Sequence, residues 1–195
     1  MKRDIILSGV GGQGILSIAT VIGTAALNNG LRIKQAEVHG MSQRGGDVQS
    51  NLRISSDPIA SDLIPRGSAD IIISLEPMEA LRYLPFLSAD GWIITNTTPF
   101  VNIPNYPEMP AIEKELASLP HVVAIDVDTI AKDAASPRAA NIVLLGAAAP
   151  FLGIEVEKLE QGIRDIFTRK GDEVVNMNLA AFRAGYDYAQ KSIKK

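Results

Sequence analysis

Ile5-Ile6-Leu7-Ser8-Gly9-Val10-Gly11-Gly12-Gln13-Gly14-Ile15 is the stretch that decides the fold. Ile5 to Ser8 reads as a short buried strand. Gly9, Gly11 and Gly14 then fit the spacing G-x-G-x-x-G, and a long helical run follows from Ile15 to Asn29. Asn28-Asn29-Gly30 closes that helix, because glycine takes the left-handed conformation that helix ends need. Arg32 to Val38 reads as a second strand. Strand, glycine turn, helix and strand together make a βαβ unit.

Outward from this unit the rhythm continues. Gly40 to Gly46 is a loop. Val48, Ser50, Leu52 and Ile54 alternate with Asp47, Gln49, Asn51 and Arg53, the pattern of a half-buried strand. Ser55-Ser56-Asp57-Pro58 is a turn, expected to belong to a hairpin. Asp70 to Leu75 is a strand, and Pro77 opens a helix that runs to Leu84. Trp92 to Thr95 is a strand. Pro104, Pro107 and Pro110 make the next segment an extended connector. Ala111 to Leu119 is a helix and Val122 to Asp126 a strand. The remainder reads as helices over Asp128–Ala135, Ala139–Phe151, Val156–Arg169 and Asp172–Lys191. In the third of these, Val156, Leu159, Ile163, Ile166 and Phe167 share a face. The Ala139–Phe151 helix is rich in small apolar residues. It demands burial, either in the core or against another subunit. Short strands alternating with helices predict an α/β, Rossmann-like three-layer fold. The sheet is mostly parallel, with helices on both faces and a helical C-terminal part.

The glycine spacing has a mechanism. One glycine allows the tight turn, another lets backbone approach a phosphate, and the last lets helix pack on strand. The N–H groups at the helix start then face an anion. Either these glycines, with Gly12 and Gln13, hold a phosphate or nucleotide, or they only permit a sharp turn and close packing. A nicotinamide dinucleotide fits less well. The acidic residue that would take its ribose is expected about 20 residues on, and Glu37 lies later than that. The second loop offers Ser42, Gln43, Arg44, Gly45 and Gly46. If the second strand runs parallel to the first, this loop leaves the same carboxyl edge, where open α/β sheets bind ligands. Arg44 either clamps a carboxylate or phosphate there or pairs with an acid of the protein or a neighbour. His39 reads as a structural histidine. Glu76 reads as a helix start, Asn96 and Thr97 as crevice candidates, and Asp126 and Asp128 as helix starts.

Composition narrows the function classes. The 195 residues are 46% hydrophobic, enough for one domain with a full core. The net charge is −3, which argues against a nucleic-acid partner. Cysteine is absent, so this chain holds no disulfide, no thiolate-ligated cluster and no cysteine nucleophile. His39 and His121 are the only histidines, which excludes a three-histidine metal site. No phosphate loop of the G-x-x-x-x-G-K-[ST] type and no serine nucleophile elbow is present. No catalytic residue and no metal ligand is assigned. No stretch is apolar and long enough to span a membrane, and the first apolar run breaks at Gly9, so a soluble cytoplasmic protein is expected.

Three motifs occur in order: Gly9-Val10-Gly11-Gly12-Gln13-Gly14, then Glu37-Val38-His39-Gly40-Met41-Ser42-Gln43-Arg44-Gly45-Gly46, then Leu75-Glu76-Pro77-Met78-Glu79-Ala80-Leu81-Arg82-Tyr83. Together they resemble the gamma-type domain of 2-oxoacid:ferredoxin oxidoreductases, over essentially residues 1–195. The resemblance implies a single Rossmann-like domain that acts only with a partner. The assembled enzyme would decarboxylate an aryl 2-oxoacid such as indolepyruvate, with coenzyme A as co-substrate and ferredoxin as electron acceptor. Other 2-oxoacids, pyruvate or 2-ketoisovalerate, are the alternative substrates. Thiamine diphosphate and iron–sulfur clusters would reside in a partner alpha subunit. A homodimer is conceivable when the chain is isolated. Two other classes compete: a free-standing NAD(P)-binding oxidoreductase and a non-catalytic assembly module.

Overall fold

The structure is a computed structural model that describes residues 1–39 and 45–193. Its backbone follows the sequence pattern closely. Six strands form one sheet: β1 (Lys2–Val10), β2 (Arg32–His39), β3 (Asp47–Ser55), β4 (Ala69–Ser74), β5 (Leu87–Asn96) and β6 (Val122–Ile125). Seven α-helices accompany them among the described residues: α1 (Ile15–Asn28), α2 (Pro77–Arg82), α3 (Met109–Ser118), α4 (Val127–Ala134), α5 (Ala140–Leu152), α6 (Val156–Phe167) and α7 (Asp172–Ile193). None of the helices is long and apolar enough to cross a membrane.

The strand order is β2-β3-β1-β4-β5-β6. β1, β4, β5 and β6 pair in parallel, while β3 pairs antiparallel with both β1 and β2. The expected βαβ unit is thus modified. β1 and β2 run the same way, but β3 lies between them. β2 and β3 are the strands that pair as an antiparallel hairpin, so the Ser55–Pro58 turn does not close one. That turn leads instead into an irregular segment over 56–68.

Alternate residues of each central strand face opposite cores, which explains their near-continuous apolar runs. Ile5, Leu7, Ile71, Ile73 and Ile94 join one cluster with α1, α4, α5, α6 and α7. Ile6, Ile72 and Ile93 join the other with Ala80 and Tyr83 of the α2 region and Ile64 of the 56–68 segment. Helix α5 is the centre of the first cluster. Every residue from Ile142 to Ala149 is buried. The chain covers this helix itself, chiefly with α7, so its small apolar residues serve the core and not a partner subunit.

Helix α4 shows how local chemistry sets an end. The Asp126 carboxylate accepts from the Thr129 backbone N–H at 3.0 Å and from the Thr129 hydroxyl at 2.7 Å. The Thr129 backbone bond, then its hydroxyl, hold this carboxyl below the usual aspartate range. A folded pKa below the unfolded one gives stability that is present above the ordinary range near pH ~4 and is lost as pH falls through the folded value. Asp126→Ala is therefore expected to cost about 1 kcal/mol at neutral pH. Urea denaturation should show that gap narrowing in acid.

Candidate functional site

The turn after β1 is built by its own residues. The Gln13 side chain accepts from the Val10 N–H at 2.7 Å and donates to the Leu75 carbonyl at 3.1 Å. Both ends of that amide are spent inside the protein, tying the turn to the end of β4. Gly14 starts α1 with φ of +89°, in the left-handed region. A Cβ there would lie 2.7 Å from the Asn141 amide nitrogen. Glycine at this position thus serves both a backbone conformation and a close approach. Asn141 uses the space to donate to the Gly14 carbonyl at 3.1 Å, joining the starts of α1 and α5.

The second loop meets the first. Gly11 N–H donates to the Gly46 carbonyl at 2.8 Å, and Gly45 N–H to the Gly11 carbonyl at 3.4 Å. The sequence expectation that both loops share one edge thus holds for Gly9, Gly11, Gly12, Gly14, Gly45 and Gly46. Ser42, Gln43 and Arg44 lie outside the described residues, and nothing tests their ligand role. His39 ends β2.

Two clefts flank the glycine turn. The first, about 340 Å³, is mostly apolar and is lined by Val10, Gly11, Gly12, Ile15, Leu16 and Val48, with Glu37 at one side. The second, about 450 Å³, is more polar. It is lined by Gly12 to Gly14, by Asn96 at the end of β5 and Thr98 and Phe100 beyond it, by Asp128, by Arg138 in the turn before α5 and by Asn141 in its first turn. It lies where the sheet order reverses, since α1 leads the chain one way from β1 and β4 returns on the other side. Open α/β sheets place ligands at such a point.

The second cleft is suited to an anion. Helix α1 has no acidic residue in its first turn and no side-chain cap, and α5 also starts without a side-chain cap. The N–H groups at the start of α1 face the crevice, whereas α5 follows directly on a 3-10 turn, Pro137–Ala139, whose Arg138 N–H donates to the Ser136 hydroxyl at 3.3 Å. Arg138 is exposed and adds a positive charge. The Asp128 carboxylate also lines the cleft, where the Asn96 amide nitrogen donates to it at 3.2 Å. The Asn96 oxygen accepts from the Thr98 and Val127 N–H groups. Asn96 lines the cleft as expected, but its polar atoms mainly fix the loop. Thr97 lies instead in a groove beside α3. Arg138 has no motif around it and was not legible in sequence. Only the approach of α5 to the glycine turn brings it in.

The Leu75–Tyr83 motif supports this edge from below. Glu76 is fully buried. One of its oxygens caps α2 by accepting from the Glu79 N–H at 2.8 Å. The other accepts from the Phe100 N–H at 3.2 Å and from the Tyr106 hydroxyl. Tyr83 donates to Asp47 at 3.4 Å, at the foot of the second loop. Burial, and then the Asp47 charge, push the Tyr83 hydroxyl up to about 12, so it stays a donor. Burial likewise pushes the Glu79 carboxyl up, against the pull of Arg82, which grips it at 2.7 and 3.1 Å.

Comparison with known proteins gives this geometry relatives. The sequence matches the family described as pyruvate ferredoxin/flavodoxin oxidoreductase over residues 4–188. It is 37% identical over 198 residues to indolepyruvate oxidoreductase subunit IorB of Archaeoglobus fulgidus, covering 97% of this chain and 96% of that protein. The gamma subunit of a keto/oxoacid ferredoxin oxidoreductase from Geobacter sulfurreducens shares the fold, with a TM-score of 0.71 and 24% identity over 97% of this chain and 99% of that one. A Magnetococcus marinus 2-oxoglutarate:ferredoxin oxidoreductase, solved with 2-oxoglutarate, coenzyme A and succinyl-CoA bound, superimposes with a TM-score of 0.75 and 23% identity, over 97% of this chain and 31% of that one.

Proposed function

We propose, from the premise that this chain belongs to the pyruvate ferredoxin/flavodoxin oxidoreductase family, that it is the cluster-free subunit of an indolepyruvate:ferredoxin oxidoreductase whose carboxyl edge holds coenzyme A. The observation that carries the identity is the near full-length match to an indolepyruvate oxidoreductase subunit. The assembled enzyme removes carbon dioxide from an aryl 2-oxoacid, passes electrons to ferredoxin and joins the acyl group to coenzyme A. The family resemblance implies that the clusters and thiamine diphosphate reside in an alpha subunit, and the absence of cysteine here agrees for the clusters, since this chain cannot ligate them through thiolates. Thiamine diphosphate would supply the carbanion chemistry there.

This chain's own work is binding and orientation. Coenzyme A carries phosphates at one end and a thiol at the other. The polar cleft offers the donors that a phosphate needs: the N–H groups at the start of α1, and the Arg138 guanidinium. The proposed contacts are made by Gly9, Gly11, Gly12 and Gly14, together with Ser42, Gln43, Arg44, Gly45 and Gly46 of the second loop. Gln13 shapes the turn and leaves ligand contact to its neighbours. The rim of this edge favours a second, compatible role. Leu16, Val38 and Val101 are half or more uncovered, which suits an apolar seam against the alpha subunit.

Purification of the chain from its native extract tests the assignment. A co-purifying cluster-bearing subunit, with coenzyme A-dependent reduction of ferredoxin by indolepyruvate, is the expected result. A chain that emerges alone and binds a nicotinamide dinucleotide would overturn it. Within the assembled enzyme, Arg138→Ala is expected to raise the KM for coenzyme A about tenfold with kcat little changed, the effect of one lost charge-assisted hydrogen bond. Arg44→Ala should act in the same direction. If these changes weaken subunit association and leave KM alone, the edge is an interface only.

A further inference from the structure

The segment over 97–108 crosses the carboxyl edge as a strap and supplies Thr98 and Phe100 to the polar cleft. Its proline content keeps it extended, so its placement depends on side-chain anchors. Two of these converge on one buried group. Glu76 accepts from the Phe100 N–H at 3.2 Å and from the Tyr106 hydroxyl, 24 and 30 residues away. A third anchor runs from the Asn102 amide to the Gly45 carbonyl at 2.7 Å and joins the strap to the second loop. The carboxylate is fully buried and acts as acceptor only, so removing an acceptor leaves a buried donor without a partner.

We propose that Glu76 is a positioning residue for the ligand cleft: it fixes the 97–108 strap over the glycine turn through Phe100 and Tyr106, beyond its role as the cap of α2. The proposal rests on the reading that coenzyme A binds at this edge. A plain cap would need only the Glu79 N–H. The second oxygen, turned away from the helix toward the strap, is what the cap does not explain. An amide at this position carries one oxygen and one NH2 group. The NH2 group then faces either the helix N–H or the strap N–H, donor against donor, and one set of bonds is lost.

The test uses the assembled enzyme with Glu76→Gln, Tyr106→Phe and Arg138→Ala. Tyr106→Phe removes one strap anchor and leaves the α2 cap intact, so it remains informative if Glu76→Gln fails to fold. Steady-state kinetics with coenzyme A and amide hydrogen exchange over residues 97–108 are the readouts. The expected result is faster exchange of the strap in both strap variants. The KM for coenzyme A should rise about tenfold for Glu76→Gln and about threefold for Tyr106→Phe, with kcat within about twofold. Unchanged exchange over 97–108 overturns the proposal. So does faster exchange with an unchanged KM in an enzyme where Arg138→Ala raises it, and the coenzyme A reading then stands. If Arg138→Ala also leaves KM unchanged, the coenzyme A reading falls and takes the proposal with it.

Discussion

Gly185→Ala is expected to cost about 3 kcal/mol or more of folding stability, the upper end for an overpacked core. Helices α5 and α7 cross at two reciprocal glycines. A Cβ on Gly185 would sit 1.9 Å from the Val143 carbonyl oxygen, and one on Gly146 would sit 1.9 Å from the Phe182 carbonyl oxygen. Both obstacles are helical backbone, which cannot turn aside as a side chain can. The helices must separate, and fully buried residues such as Leu145 and Phe182 lose contact with their neighbours. Gly23→Ala is the control. Its Cβ would meet only the Ile33 Cδ1 at 2.7 Å, the far end of a flexible side chain. That variant should stay within about 1 kcal/mol of the parent, because alanine favours helix by about that amount. Chemical denaturation compares the two. A Gly185→Ala protein as stable as Gly23→Ala would refute the tight crossing. The effect also reaches the site, since α5 carries Asn141 in its first turn and is led in by the short turn that holds Arg138.

How much of this was legible in the sequence follows from the range of the forces involved. The β1–α1 turn was legible because its glycine spacing and flanking periodicity are local. Strand β3 was legible as a strand from its alternation. Its place between β1 and β2 was not, because strand pairing depends on partners that no short window contains. The same limit explains why the hairpin turn was expected at Ser55–Pro58. Helix α5 declared its burial through apolar residues on every side, but nothing in that pattern says which element covers it. Among site residues, the glycines were legible through motif spacing. Gln13 looked like a ligand group, and its two bonds to Val10 and Leu75 emerge only when β4 is laid beside β1. Arg138 and the strap contacts of Glu76 join residues far apart in the chain, and only the fold brings them together.

Arg53→Met should expose a division of labour between the two ends of the sheet. Asp4 and Arg53 face each other across β1 and β3 at the end opposite the glycine turn. Asp4 is buried, and Arg53 holds both its oxygens, at 2.7 and 3.0 Å. The same guanidinium donates to the Ser61 and Leu63 carbonyls at 3.1 Å, which closes the 56–68 segment over this face. Removing one partner of a buried pair leaves an uncompensated charge and costs about 3–5 kcal/mol. Lys2 also reaches Asp4 at 2.9 Å but is itself largely exposed, so the expected loss is toward the lower end, about 3 kcal/mol. Adding Asp4→Asn to Arg53→Met should recover part of that loss, because the stranded charge is then gone. The KM for coenzyme A should not move in either variant, since the altered groups lie at the far end of β1 from the proposed cleft. Arg138→Ala should behave inversely, with a raised KM and unchanged denaturation. A KM that rises with the stability loss in Arg53→Met would mean that the carboxyl edge takes its shape from the whole sheet and not from its own loops.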